Sequence, residues 1–148
     1  MSKSTHVPFE TTLLVRDTCL CLHIQRAARA LARRFDDALR PLDLTNGQFS
    51  LMMALNRPLP PSMGSVAALL AVDRTTLTAA LKPLERRGLI EILTDQEDRR
   101  GRLLKLSPAG QALLSRSVPI WEETHAAVEK LLPDGAPGRL RADLQKLA

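Results

Sequence analysis

The sequence predicts a mainly α-helical protein with one small β-hairpin, a winged helix-turn-helix, and three neighbouring stretches predict it. From Asp73 to Gly88 the chain reads as one helix. Asp73 caps its start by accepting a backbone N–H, Gly88 supplies a left-handed residue at its end, and Arg86 and Arg87 suit its negative pole. Leu77, Ala80, Leu81 and Leu84 recur at helical spacing and form the face expected to be buried. Upstream, Pro60, Pro61 and Ser62 give a turn and an N-cap before a short apolar face of Val66, Leu69 and Leu70 that ends at Ala71 and Val72. Downstream, the aliphatic runs Leu89 to Leu93 and Leu103 to Leu106 flank the charged segment Asp95 to Arg102, a hairpin with a basic tip.

The face of the 73–88 helix left outside carries Arg74, Thr75, Thr78, Ala79 and Lys82. Short hydroxyls and a methyl let a helix lie deep in a major groove, while Arg and Lys reach guanine edges and phosphates. An ordinary amphipathic surface helix would look the same over this stretch alone. The short helix before it and the hairpin after it point to a recognition helix. The expected DNA-facing set is Ser62, Arg74, Thr75, Thr76, Thr78 and Lys82, joined by Asp98, Arg99, Arg100 and Arg102 of the hairpin.

At 148 residues and 45% hydrophobic content, the chain can bury a core as one domain without metal or disulfide staples. Twenty-one Lys and Arg against sixteen Asp and Glu leave a formal charge of +5, which suits a polyanionic partner without requiring one. No apolar run approaches the ~20 residues of a membrane span, and the first residues lack a signal peptide's apolar segment, so a cytoplasmic protein is expected. Cys19 and Cys21 would point too far apart on a helix to bridge, and are expected as reduced thiols.

Residues 1 to 16 mix polar and apolar positions, with Phe9, Leu13, Leu14 and Val15 marking an arm that packs on something larger. From Asp17 to Leu39, the positions Leu20, Ile24, Ala27, Ala28, Leu31, Phe35, Ala38 and Leu39 keep helical spacing up to Arg40 and Pro41. Arg26, Arg29, Arg33 and Arg34 lie off that stripe and read as a solvated face. Thr45 and Gln48 stand at capping-box spacing before a compact helix with Phe49, Met52, Met53 and Leu55. Ser107 and Pro108 open a long helix that Pro119 is expected to kink. After a break over residues 133–138, Leu140, Leu144 and Leu147 form a last stripe.

With these elements in order, the chain resembles the MarR family of winged-helix transcriptional regulators over nearly its whole length. The most specific match is Asp98-Arg99-Arg100 followed by Leu106-Ser107 and Gly110. Leu42 to Thr45 before the second compact helix and Leu84 to Ile90 after the recognition helix fit as well. The resemblance implies a homodimer on a palindromic double-stranded DNA operator. About 1–40 and 107–148 would form the dimerisation platform and 45–106 the DNA-binding lobe. Leu131, Leu132, Leu140, Leu144 and Leu147 agree with that, since they exceed what a small lobe can cover. It also implies that Arg100 enters the minor groove and that Asp98 steadies the wing; Arg99 and Arg102 are expected to add phosphate contacts, against the alternative of a solvated turn with no base contact.

Regulators of this family commonly hold a small aromatic or phenolic acid near the first two helices and the long fifth one, where His23, Arg26, Phe49, Met53 and Trp121 are the candidates. An aromatic wall with a cation suits an aromatic carboxylate, whereas plain core is the commoner role for such side chains. A repressor released by a small-molecule effector is the expected function. The alternative is a thiol-based oxidant sensor, because Cys21 stands where the organic-hydroperoxide-sensing branch carries its reactive cysteine. That branch supports its thiolate with tyrosines, and this chain has none; Phe35 and Asn46 occupy two of those positions. Cys19 and His23, at i and i+4, give only two metal ligands, so neither metal nor cofactor is expected. His6, His23 and His125 fall in separate elements, and no phosphate loop, zinc pattern or nucleophile elbow occurs, which argues against an enzyme. Sequence-neutral packaging of nucleic acid would leave the small polar recognition face unexplained.

Overall fold

A computed structural model describes residues 5–148, so the first four positions of the expected N-terminal arm lie outside the described residues. The elements run α1 (Phe9–Thr18), α2 (Leu20–Leu39), a 3-10 turn (Arg40–Leu42), α3 (Asn46–Leu55), α4 (Met63–Leu70), α5 (Arg74–Arg86), β1 (Ile90–Thr94), β2 (Arg102–Leu106), α6 (Pro108–Glu129) and α7 (Ala136–Leu147). The architecture is mainly α with a two-stranded wing, as the sequence predicts.

The buried apolar side chains all lie between Leu39 and Leu114, so the core belongs to the lobe built from α3, α4, α5 and the wing. Met52, Val66, Leu77, Leu81, Leu84 and Leu104 close its centre. The antiparallel strands pair Ile90 with Leu106 and Ile92 with Leu104, which turns those four side chains to the lobe and leaves Glu91 opposite Lys105 outside. The free edge of β2 is covered by the segment before α4: Leu104 N–H donates to the Pro61 carbonyl at 2.9 Å, and Ser62 bridges to Leu103.

Several expectations need correction. The N-terminal arm is a helix, α1, and every residue in it except Leu13 is exposed. The long helix begins at Leu20 because Cys19 is extended and caps it, its Sγ accepting from the Leu22 N–H at 3.5 Å. Cys19 therefore never shares a helix with Cys21; both are free thiols. Of the apolar stripe on α2, only Leu39 is buried, while Leu20, Ile24 and Leu31 are exposed. Ala80 and Leu69 were expected inside and are exposed, because α5 turns only Leu77, Leu81 and Leu84 to the core and α4 turns Val66 and Ala67. The last helix starts inside the expected break: Gly135 adopts φ 78°, and Pro137 sits in the first turn, where its missing N–H costs nothing. Helix α6 runs unbroken as an element through Pro119.

Helices α1 and α7 bury no side chain. Phe9, Leu14 and Val15 of α1 and Leu140, Leu144 and Leu147 of α7 leave apolar surface open, and an Arg141–Glu129 pair at 2.9 Å ties α7 to α6. Among the described residues, no helix is long and apolar enough to cross a membrane.

Candidate nucleic-acid interface

The helix-turn-helix is fastened by short local bonds. Ser62 Oγ accepts from the Ser65 N–H at 3.1 Å and starts α4, which ends at Ala71 in a left-handed conformation with φ 54°. Two residues later Asp73 Oδ1 accepts from the Thr76 N–H at 2.7 Å and starts α5. The Thr76 N–H, aided by the Thr76 hydroxyl, holds the Asp73 carboxyl below its ordinary range, so this cap is fully in place above that range and is lost as pH falls through the lowered value. Gly88, at φ 70°, closes the far end.

Arg74, Thr75, Thr76, Thr78, Ala79 and Lys82 are all exposed. Thr78 Oγ1 donates to the Arg74 carbonyl at 2.7 Å, which leaves its oxygen free to accept. Arg74 lies back over α4: a Cβ added to Gly64 would stand 3.1 Å from its Nη2, so the glycine makes room for that guanidinium. Arg86 falls on the same outer stripe as Thr75, Ala79 and Lys82 and is exposed, a place on the outer face in addition to its place at the helix pole. The spacing i, i+4, i+7, i+11 carried that signal.

At the wing tip, Asp98 Oδ1 accepts from the Arg100 N–H at 3.1 Å, and the Gly101 N–H donates to the Asp98 carbonyl at 2.8 Å. Arg102 turns its Nη1 back onto the carbonyls of Arg99 and Gly101 at 3.3 and 3.2 Å, bracing the loop. Arg99 and Arg100 are exposed and form no ion pair among the described residues. The structure thus sets the outer face of α5 and a basic wing tip on one winged lobe.

The effector candidates divide between two grooves. Phe49, Met53 and Trp121 line one with Leu69, Leu70 and Val118; His23 and Arg26 line another along α2 with Arg29 and Arg33. Trp121 stacks between Phe49, at 6.3 Å between ring centroids, and His125, at 4.6 Å, so His125 joins an aromatic ladder that sequence spacing did not indicate. His23 Nδ1 is 2.8 Å from the Cys19 carbonyl oxygen. Cys21 is exposed, and its Sγ accepts from Gln25 Nε2 at 3.2 Å. Among the described residues, no group of three His, Cys, Asp or Glu side chains is placed to hold a metal.

A two-stranded wing behind a helix-turn-helix defines a winged-helix protein. A family model described as the MarR family matches residues 44–101. The transcriptional regulator MosR of M. tuberculosis, solved in complex with DNA, is 36% identical over 88% of this chain and 93% of that one, with a TM-score of 0.80. A mutant MarR from E. coli complexed with operator DNA is 26% identical over 91% of this chain and 97% of that one, with a TM-score of 0.82. The transcriptional activatory protein BadR of Rhodopseudomonas palustris is 30% identical over 95 residues, 62% of this chain, and the match spans 54% of BadR's length. The chain belongs to the MarR family.

Proposed function

We propose that the protein is a homodimeric, cytoplasmic, non-enzymatic transcriptional regulator that binds a palindromic DNA operator. The exposed Thr75, Thr78 and Lys82 face of α5, on the same lobe as the exposed Arg99 and Arg100 of the wing, is the observation that carries this reading. It gives small polar groups for a major groove and cations for phosphates and the minor groove. The open apolar surfaces of α1 and α7 suit a twofold mate, with the platform at about 1–40 and 107–148 and the lobe at 45–106. Selection of bound duplexes from a random pool tests it, and a palindrome is the expected product. Replacing Arg100 with alanine should weaken binding to that duplex by about 1–3 kcal/mol and leave circular dichroism unchanged. Undiminished affinity would remove Arg100 from the interface.

As a repressor, the protein would be released by a small aromatic or phenolic ligand that binds the DNA-incompetent arrangement more tightly. The apolar groove of Phe49, Met53 and Trp121 supports that class of ligand, with His125 stacked at its edge. Release should then reverse on dialysis and persist in Cys21→Ser. The exposure of Cys21 favours a second reading, in which peroxide oxidises its thiolate to a sulfenic acid and dithiothreitol restores DNA binding. Rapid Cys21 oxidation coupled to loss of operator binding in wild type but not in Cys21→Ser would establish that mechanism in place of the first.

A further inference from the structure

The turn joining α2 to α3 is fastened from two directions. On the α2 side, Asp36 accepts from the Asn46 backbone N–H at 2.7 Å and from the Asn46 side-chain amide at 3.0 Å, pinning the first residue of α3 to the last turns of α2. On the other side, Arg87 at the C-terminal cap of α5 donates through Nη1 to the backbone carbonyl of Asp43 at 2.6 Å, across 44 positions of sequence. Asp43, whose carbonyl takes the second fastening, is itself held at φ 54°. Its carboxylate contributes little, being 3.9 Å from Arg87 Nη2 and 97% exposed. The bond to the carbonyl is the stronger one, because a guanidinium donor is charged and the Arg87 side chain is only 32% exposed.

An arginine at the end of a recognition helix is by default a phosphate contact or a partner for the helix pole. Here its fork is turned inward onto the turn that leads to α2. We propose that Arg87 is a positioning residue for DNA recognition: it fixes the angle of α5 against α2, and so the spacing between the two recognition helices of a dimer, without touching DNA. This rests on the DNA-binding reading above. In that reading α2 belongs to the platform and α5 enters the groove, so the Arg87–Asp43 bond is where displacement of one is passed to the other.

The test uses full-length wild type, Arg87→Gln, Arg87→Lys and Asp43→Asn, each with its thermal midpoint recorded. Affinity is measured across a salt series for the palindrome selected by wild type and for duplexes with respaced half-sites. Arg87→Gln should bind roughly 2- to 30-fold more weakly, the range for residues that couple to a site from outside it. Its dependence of log affinity on log salt should match wild type, since no phosphate contact is lost, and its discrimination against respaced duplexes should shrink. Arg87→Lys should recover part of the loss and, should Arg87→Gln fail to fold, serves as the variant read out. Asp43→Asn keeps the carbonyl and should behave as wild type. A salt slope reduced by about one would make Arg87 a phosphate contact and overturn the proposal. Unchanged affinity, or a loss equal at every spacing, would overturn it as well. A wild type that selects no duplex would instead overturn the DNA-binding reading, and this inference with it.

Discussion

Replacing Gly110 with alanine is expected to destabilise the protein at the top of, or beyond, the roughly 1–3 kcal/mol range for forcing an atom into a packed core. A Cβ at Gly110 would stand 2.0 Å from the Leu89 carbonyl oxygen and 3.0 Å from its carbon, both backbone atoms that no rotamer change can move. The approach is enforced from several sides. Ser107 Oγ donates to the Gly88 carbonyl at 2.5 Å and accepts from the Gly110 N–H at 3.0 Å, while the Ser107 N–H donates to the Leu89 carbonyl at 3.0 Å. The first turn of α6 is thereby clamped onto the exit of the recognition helix. With about 2–4 °C of melting temperature per kcal/mol in a chain of this size, the midpoint should fall by about 6 °C or more, or soluble protein should be lost. Gly88→Ala is the control: nothing lies within 4 Å of its added Cβ, so only the strain of φ 70° remains, roughly 1–2 kcal/mol. Equal midpoints for wild type and Gly110→Ala would show that α6 does not make this approach.

Deleting the chain from Pro133 onward is expected to leave aggregated or unfolded protein. Leu140, Leu144 and Leu147 are 46, 37 and 63% exposed in the single chain, and Leu131 and Leu132 just before them are 65 and 39% exposed. Moving one leucine from water to a packed interface is worth roughly 1.5–3 kcal/mol, so losing three from each protomer removes an amount comparable to the roughly 5–15 kcal/mol stability of a whole domain. Size-exclusion chromatography with light scattering decides the matter. A soluble, folded monomer would contradict the dimerisation platform.

The sequence by itself determined where four of the helices begin. The caps at Thr45, Ser62, Asp73 and Ser107 each bond to an N–H three residues on. Such contacts are set by neighbours along the chain, so type and spacing are enough to read them. The outer face of α5 was legible for the same reason, since helical periodicity alone separates Thr75, Thr78 and Lys82 from Leu77, Leu81 and Leu84. Only the tertiary structure decided what depends on partners far along the chain. It turned Arg87 onto Asp43 and Asp36 onto Asn46, stacked His125 on Trp121, and placed His23 and Arg26 in a different groove from Phe49 and Met53. It also left Ala80 and Leu69 in solvent. An apolar stripe states that a face can be buried, but which part of it is covered depends on the elements that pack against it, and on α1, α2 and α7 this chain alone supplies too few.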